Sequence, residues 1–319
     1  DHRDLHSFPT RRSSDLTRLI WFDGKIMPVN EAKINVLSPT SQFGANVFEG
    51  IRCYWNSKEN QLYAFRLEDH IRRLEKSSKL FRLENKYSHE DLINYFLSAV
   101  TANNFKEDIA IRQTIFVDGF GSWFARGPVN MFIAPIEKKR LDPDNPKCIK
   151  CCISSWQRIN ENSMSPKVKV GANYINSRVA QLEAIQNNYD STIFLNNAGK
   201  ISEGPGSCLF IVKDKKLITP PITASILESI TRETIIEIAS KELNIEVIER
   251  DIDRTELYIA DEAFLCGSAI EIAPINNIDG FEISDGKSGK ITRSLHKLYL
   301  KIVTGSNLQF KKWLTPIYK

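Results

Sequence analysis

The sequence has few cysteines, no long apolar run and almost no excess of charge of one sign. Six cysteines in 319 residues exclude a disulfide scaffold and favour a reducing compartment, for which we expect the cytoplasm. No stretch approaches the roughly 18 apolar residues of a membrane helix, so we expect no membrane span, and no signal-peptide pattern is visible. The 43 basic and 39 acidic residues leave a net charge of +4, too small an excess to predict binding to a nucleic acid or an anionic membrane.

The remaining composition is that of an ordinary globular protein. Hydrophobic residues make up 42% of the chain and charged residues 26%, which excludes disordered and collagen-like proteins. The length fits two domains of roughly 120–180 residues, each large enough to bury a core of its own. Residues 1–16 read like the translation of a sequencing-adapter oligonucleotide and are set apart as an artefact; a disordered tail is the alternative.

The pattern of elements predicts an α+β fold with two domains. Residues 138–147 are polar and contain two prolines, which is typical of a linker. We expect a small N-terminal α/β domain at 17–137 and a larger C-terminal domain at 148–319, because short strands alternate with separated helices in both. Strands are predicted at 19–24, 50–55, 61–65, 109–117, 131–136, 148–156, 192–195, 209–212 and 262–266, and helices at 68–82, 91–103, 175–187 and 231–243. In the third helix, Val179, Leu182 and Ile185 are expected to face inward.

Two lysines precede that third helix. Lys167 and Lys169 lie in a run of small residues that ends at Tyr174. A partly buried lysine can lose its proton and act as a nucleophilic amine, and a nearby phenol can hydrogen-bond the imine that forms. Two lysines on a loop are more often solvated, so this pattern alone leaves both interpretations open.

Three further segments contain groups that suit a flat, anionic ligand. Glu203 lies in a glycine-rich turn, where a backbone can approach a flat ligand closely. Residues 228–233 begin a helix, whose N–H groups and dipole attract anions, and residues 267–269 form a Gly-Ser-Ala loop after an apolar strand. A solvated turn, an ordinary helix cap and a plain strand end are the alternatives. In this order, however, the segments provide what a pyridoxal phosphate site needs: an imine-forming lysine, a carboxylate for the pyridine nitrogen and two phosphate-binding elements.

With these motifs the chain resembles the fold-type IV pyridoxal phosphate enzymes, most closely the branched-chain amino acid aminotransferases. The resemblance extends from about Ile20 to the region of Trp313. It rests on motifs that follow one another in the family's order, at residues 21–24, 43–44, 47–52, 70–74, 111–112, 169–174, 201–204, 230–232, 257–262 and 267–271.

The resemblance implies roles for individual residues around the cofactor, pyridoxal 5'-phosphate. Lys169, rather than Lys167, is the expected catalytic lysine, which forms a Schiff base with the cofactor. Tyr174 is expected to hydrogen-bond the phenolic oxygen, Glu203 to pair with the pyridine nitrogen, and Leu227 to pack against the ring. The phosphate is expected to be bound by Arg73, Ile230, Thr231 and Ser268.

Substrate contacts are implied in the same way. Arg112 is expected to receive the distal carboxylate of glutamate or 2-oxoglutarate, and the backbone at Ser268 and Ala269 the substrate's own carboxylate. Around the substrate, three positions where the family usually has tyrosine differ in this chain, which has Phe43, Ala110 and Arg140 there. Because these changes alter the volume and hydrogen bonding of the substrate pocket, they leave the preferred amino acid open.

The implied function is transamination of the branched-chain L-amino acids Leu, Ile and Val with 2-oxoglutarate, giving branched 2-oxo acids and L-glutamate by ping-pong chemistry. The expected partners are these small molecules and further copies of the chain, in a homodimer or larger oligomer. A D-amino acid transaminase and an aminodeoxychorismate lyase are the alternatives within the family. A non-catalytic protein that binds pyridoxal phosphate is the alternative outside it, against which the intact Lys169 and Glu203 argue.

No metal site is predicted. Cys148, Cys151 and Cys152 are spaced as in some metal or redox sites, but no second cysteine pair and no nearby histidine completes a ligand set. We therefore expect these cysteines to be structural. His70 and His296 are isolated in the sequence and are also expected to be structural.

Overall fold

The computed structural model describes residues 18–318, so the interpretation of residues 1–16 lies outside the described residues. Within this range the chain divides into two compact units. The N-terminal unit contains residues 18–140, 168–172 and 301–318, and the C-terminal unit contains residues 141–167 and 173–300. The first division, between residues 140 and 141, falls inside the segment predicted as a linker.

The described residues contain both strands and helices throughout. The strands are β1 (Leu19–Phe22), β2 (Lys25–Pro28), β3 (Asn46–Asn56), β4 (Gln61–Phe65), β5 (Ile109–Val117), β6 (Val129–Glu137), β7 (Ile149–Gln157), β8 (Ser191–Leu195), β9 (Cys208–Lys213), β10 (Lys216–Thr219), β11 (Val247–Glu249), β12 (Glu262–Gly267), β13 (Glu271–Ile278), β14 (Phe281–Glu282) and β15 (Leu314–Pro316). The α-helices are α1 (Pro39–Phe43), α2 (Leu67–Leu80), α3 (His89–Thr101), α4 (Tyr174–Gln186), α5 (Ile230–Glu242), α6 (Arg254–Tyr258) and α7 (Lys290–Val303). Every predicted element is present, with ends that differ by a few residues at most, and the α+β prediction is confirmed.

The N-terminal unit is built on an antiparallel sheet. Its seven strands follow the order β15-β4-β3-β5-β6-β1-β2. The helices α2 and α3 place apolar residues at helical spacing toward the core of this unit. Those residues, Leu67, Ile71, Leu74, Leu92, Phe96 and Val100, are buried together with strand residues such as Ile51 and Ile111.

The C-terminal unit is built on a mixed sheet. Its strands follow the order β11-β10-β9-β12-β13-β7-β8, and β14 pairs with β13. The pairs β10–β11, β13–β7 and β7–β8 are parallel, and the other pairs are antiparallel. This sheet and its apolar core hold the turns before β9 and after β12, which carry the predicted site residues Glu203, Ser268 and Ala269.

The predicted inner face of α4 was wrong. Leu182 and Ile185 are 44% and 56% exposed, whereas Ala180 and Ala184 are fully buried. The helix contacts β7 and β8 through this small-residue face, because small side chains let a helix lie close to a sheet. A periodicity that counts only large apolar residues therefore selects the wrong side of this helix.

Candidate active site

Lys169 is fixed beside the beginning of β3. Its carbonyl oxygen accepts a hydrogen bond from the Phe48 N–H at 3.0 Å, and its own N–H donates to Ser77 Oγ at 3.1 Å. The next residue, Val170, forms an antiparallel bridge with Val47. The half-buried side chain places Nζ 4.9 Å from the centre of the Phe48 ring. Backbone contacts on both sides therefore hold this amine over an aromatic face.

Lys167 has a different environment. It belongs to the C-terminal unit, and its Nζ lies 3.6 Å from Glu161 Oε1, with both side chains open to solvent. This is the solvated arrangement that the sequence left open for either lysine, and an exposed ion pair of this kind contributes little to stability.

Arg112 contacts the same aromatic ring as Lys169. Its Cζ lies 4.0 Å from the centre of the Phe48 ring, across the antiparallel pair of β3 and β5. Ala110 precedes Arg112 by two residues, so both side chains point to one face of the sheet. Ala110 is buried and small. The N-terminal unit thus places an amine and a guanidinium against the Phe48 ring, and Ala110 lies further along the same face of the sheet, opposite Arg52.

The next residue of β3, Glu49, points to the opposite face and is completely buried. Its Oε1 accepts from Arg73 Nε at 2.7 Å and its Oε2 accepts from Arg73 Nη2 at 2.8 Å. His70 Nδ1 lies 2.7 Å from the same Oε2. His70 and Arg73 are one turn apart on α2, which places them on one helix face. His70 is therefore not isolated, and Glu49 orients the predicted phosphate ligand Arg73.

The charges in this cluster can be assigned. Burial by itself raises the pKa of the Glu49 carboxyl, but the charge and hydrogen bonds of Arg73, together with the hydrogen bond of His70, outweigh it and hold that pKa far below its usual range. Burial lowers the pKa of His70, and this effect exceeds the opposing attraction of Glu49. His70 is thus neutral near pH 7, and a neutral ring that contacts a carboxylate carries its proton on Nδ1. Glu49 and Arg73 form the ion pair, and His70 adds a neutral donor.

The other two positions that depart from tyrosine, Phe43 and Arg140, also belong to the N-terminal unit. Phe43 ends α1 and is 49% exposed. The Arg140 guanidinium binds the Asp108 carboxylate, and its Nη2 also donates to the Trp55 carbonyl oxygen at 2.8 Å. The substrate role of Arg140 stays a prediction, with its guanidinium engaged by Asp108.

In the C-terminal unit, the Glu203 side chain is 4% exposed. Its Oε1 accepts from Arg158 Nε at 2.9 Å, and its Oε2 accepts from the Leu227 N–H at 3.2 Å. The Cys208 thiol lies 3.9 Å from Oε2. Leu227, predicted to pack on the cofactor ring, thus contacts Glu203 through its backbone.

Tyr174 lies beside the turn that follows Glu203. A Cβ built on Gly206 would lie 3.8 Å from Tyr174 Cε1, so the ring approaches this turn. A Cβ on Gly267 would lie 3.3 Å from the Gly206 carbonyl oxygen, which brings the end of β12 to the same place. Ser268 and then Ala269 continue from Gly267 into the turn before β13, and both are more exposed than the strand before them. Glycine at these positions allows the close approach of two backbones.

The predicted anion-binding helix start is present as the first turn of α5. Ser229 caps the helix, and its Oγ accepts from the Arg232 N–H at 3.2 Å. Ile230 and Thr231, the first two helical residues, are 6% and 2% exposed. Because the dipole and the N–H groups of a first turn attract anions, this segment suits a phosphate. The phosphate role of these two residues and of Ser268 stays a prediction.

Metal ligands, membrane helices and cysteines were examined over the described residues as well. Between residues 18 and 318, no three His, Cys, Asp or Glu side chains are grouped so that they could hold a metal ion. Over the same residues, no helix combines the length and the apolar character needed to cross a membrane. Cys148, Cys151 and Cys152 are free thiols on β7 or directly before it.

Several residues of the site had no assigned role in the sequence. Phe48 and Glu49 lie in a motif of the family resemblance, and a glutamate inside an apolar strand is a signal for a buried ion pair. The one-turn spacing of His70 and Arg73 could have indicated the partner. No sequence signal marks Arg158, because its partner Glu203 lies 45 residues further along the chain.

Comparison with known proteins shows the family. The family model described as amino-transferase class IV matches residues 46–278. The probable branched-chain-amino-acid aminotransferase of Aquifex aeolicus (strain VF5) is 39% identical over 300 residues, which cover 93% of this chain and 96% of that protein. A branched-chain aminotransferase structure from Thermobaculum terrenum in its PLP form has a TM-score of 0.90 and 41% identity, covering 96% of this chain and 100% of that one. The enzyme from Thermoproteus uzoniensis, solved with norvaline, has a TM-score of 0.89 and 41% identity, covering 94% and 99%. The chain therefore belongs to the class IV aminotransferases, as its resemblance to the fold-type IV enzymes predicted.

Proposed function

We propose that this protein is a pyridoxal phosphate-dependent aminotransferase that transfers the amino group of branched-chain L-amino acids to 2-oxoglutarate. The observation that carries the proposal is the contact of the Lys169 amine and the Arg112 guanidinium with one ring, that of Phe48. A reacting amine near a carboxylate-binding cation is what an enzyme that uses both apolar and acidic substrates needs. Relatives named branched-chain aminotransferases, one of them solved in its PLP form, support the same chemistry.

The residues present fit pyridoxal phosphate. The buried carboxylate of Glu203 accepts hydrogen bonds and suits a protonated pyridine nitrogen. The Arg73 guanidinium and the first turn of α5 suit the phosphate, and the Tyr174 hydroxyl suits the phenolic oxygen. When bound, the cofactor supplies an aldehyde that captures the substrate's amino group and a ring that takes up electrons from its α-carbon.

Lys169 would hold the cofactor, and as a free amine it would accept and return the proton of the substrate's α-carbon. The Phe48 N–H and Ser77 Oγ, which bind the Lys169 backbone, limit where its amine can reach. Arg112 binds the distal carboxylate of glutamate or 2-oxoglutarate. Phe48 and Ala110 offer apolar surface for a branched side chain on one face of the N-terminal sheet. The backbone of Ser268 and Ala269 would bind the α-carboxylate.

A spectroscopic titration of the full chain, loaded with pyridoxal phosphate, tests this function. We expect a visible absorbance band of the bound cofactor that L-isoleucine bleaches. 2-Oxoglutarate should restore the band and yield L-glutamate, because the two half-reactions are linked through one cofactor.

Other outcomes assign other activities. Bleaching by D-alanine and not by L-isoleucine would place the protein among D-amino acid transaminases. Release of pyruvate from aminodeoxychorismate would identify a lyase. A stable band that none of these compounds changes would contradict catalysis and leave a cofactor carrier.

We also propose that the protein is a homodimer. An exposed apolar surface in the N-terminal unit joins Phe120, Trp123 and Phe124, each about 70% exposed, to Val36 and Leu37. The two segments are neighbours, because a Cβ on Gly121 would lie 3.3 Å from Pro39. Monomeric proteins rarely expose contiguous apolar surface of this kind, and a second copy of the chain would cover it.

Substitution of one residue of this surface should weaken the dimer. We expect sedimentation equilibrium to give twice the chain mass of 36.4 kDa, and Trp123→Asp to raise the dissociation constant by about 10- to 30-fold, the effect of a central aromatic contact. Ile259→Asp, which changes an equally exposed residue of the C-terminal unit, is the control. A parent protein that sediments at the monomer mass would refute the dimer.

For its location we propose the cytoplasm. All six cysteines are free thiols, as expected in a reducing compartment. Burial raises the pKa of the Cys53, Cys151 and Cys266 thiols, which keeps them protonated and poorly reactive.

A further inference from the structure

An arginine with no assigned role contacts Glu203 inside the C-terminal unit. Arg158 follows directly after β7, and its backbone N–H donates to the Leu195 carbonyl oxygen at 2.9 Å. Its side chain is only 8% exposed, and Nε lies 2.9 Å from Glu203 Oε1. A guanidinium so far removed from water requires an anionic partner to offset the lost hydration, and Glu203 is that partner.

The Arg158 guanidinium is itself held in place. Its Nη1 donates to Asn176 Oδ1 at 3.1 Å, and Asn176 Nδ2 donates to the Gln157 carbonyl oxygen at 2.9 Å. The Arg158 Cζ lies 5.6 Å from the centre of the Phe194 ring, within the range of a cation–π contact. Because Asn176 belongs to α4 and Gln157 ends β7, a helix and a strand together determine where Arg158 meets Glu203.

The contacts of Glu203 favour its charged form. Arg158 supplies a full positive charge at Oε1, while the Leu227 N–H and the Cys208 thiol approach Oε2 at 3.2 Å and 3.9 Å. Positive charge and donated hydrogen bonds stabilise a carboxylate relative to a carboxylic acid. Of these three contacts, the one with Arg158 has the largest electrostatic effect, because a charge–charge interaction exceeds that of a neutral donor.

We propose that Arg158 is a positioning residue that holds Glu203 ionised, so that the proton between Glu203 and a bound pyridine ring stays on the ring nitrogen. The proposal rests on the proposed function, in which Glu203 pairs with that nitrogen. The proton can occupy the nitrogen or the carboxylate oxygen, and the cation beside the carboxylate disfavours its transfer to oxygen. A ring that keeps this proton withdraws electrons more strongly, and Arg158 thereby promotes removal of the α-proton by Lys169.

Two substitutions separate the charge of Arg158 from its hydrogen bond. Arg158→Lys keeps the charge, whereas Arg158→Gln keeps a donor without the charge. The holoenzyme of each is prepared with pyridoxal phosphate labelled with ¹⁵N in the ring, and the ¹⁵N chemical shift reports whether the nitrogen carries a proton. We expect the lysine variant to match the parent. In the glutamine variant the shift should move toward the unprotonated value, and kcat for L-isoleucine should fall roughly 10- to 100-fold, as for residues that orient a ligand-binding group, with little change in KM.

An exposed arginine of the C-terminal unit provides the control. Arg178→Gln alters an exposed arginine on α4, the helix that contains Asn176, and should leave the ¹⁵N shift and kcat unchanged. The inference is overturned if the glutamine variant keeps its ring proton, or if the lysine and glutamine variants lose it equally. If Arg158→Gln fails to fold by near-ultraviolet circular dichroism, Asn176→Ala decides. That variant retains Arg158 but loosens its contact with Glu203, and its ¹⁵N shift should move part of the way toward the unprotonated value; an unchanged shift overturns the inference. A parent protein that does not bind pyridoxal phosphate refutes the proposed function instead.

Discussion

Replacement of Lys169 by alanine is expected to lower the rate of L-isoleucine transamination by at least about 10³-fold. A positioned general base contributes about 10²- to 10⁴-fold on its own, and this variant also loses the amine that holds the cofactor. The measurement is the initial rate of L-glutamate formation with saturating 2-oxoglutarate and added pyridoxal phosphate. Borohydride reduction of the parent should place the cofactor mass on the peptide that contains Lys169.

Lys167→Ala is the matched control. The two lysines are separated by one residue, but the Lys167 amine pairs with Glu161 at the surface, and the Lys169 amine lies over Phe48. We expect the control to keep the parent's rate within about twofold, as for surface positions away from a site. A Lys169→Ala enzyme with more than a tenth of the parent's rate, or cofactor mass on Lys167, would contradict the assignment.

Removal of the Glu49 carboxylate is expected to lower the free energy of unfolding strongly, far more than removal of an exposed carboxylate. Glu49→Ala leaves the Arg73 guanidinium, whose side chain is 12% exposed, without its bidentate partner. Breaking a buried ion pair from one side costs about 3–5 kcal/mol, because the remaining charge stays buried and uncompensated. Urea unfolding at pH 7 measures this change in the free energy of unfolding.

An exposed pair of the same kind is the control. Glu84 and Arg126 lie 4.0 Å apart, with both side chains more than 60% exposed. Glu84→Ala should change the free energy of unfolding by less than about 1 kcal/mol, because water and salt screen a surface pair. If the two variants lost the same free energy of unfolding, burial of Glu49 would not explain its effect on stability.

The stabilisation of the fold by Glu49 decreases as the pH falls. Its folded pKa lies well below its usual value, so its stabilisation is complete above the unfolded pKa of about 4.3 and is lost as the pH falls toward the folded pKa. His70 acts in the same direction below its unfolded pKa of about 6.5, because burial lowers its folded pKa. We expect the stability difference between the parent and Glu49→Gln to shrink below about pH 4. A constant difference from pH 7 to pH 3 would refute this account.

The helices and strands were predicted well from local patterns, because their formation depends mainly on residues that are close in sequence. The helical spacing of Ile71 and Leu74 in α2 is visible in the sequence, and both side chains are buried in the structure. The prediction failed for the inner face of α4, where Ala180 and Ala184 are buried and the larger Leu182 is exposed. Apolar size indicates a buried face only where the neighbouring surface has room for large side chains.

The sequence by itself determined the family and the order of its motifs, and it selected Lys169, Glu203 and Arg73 as candidate site residues, because each lies in a short motif of adjacent residues. Only the tertiary structure decided which charges neutralise one another. Glu49 meets Arg73 across 24 residues, and Arg158 meets Glu203 across 45. It also placed β15, from the end of the described chain, beside β4. The physical reason is common to these cases: burial makes a charge or a strand edge costly until a partner is found, and the fold, not the local sequence, brings that partner within reach.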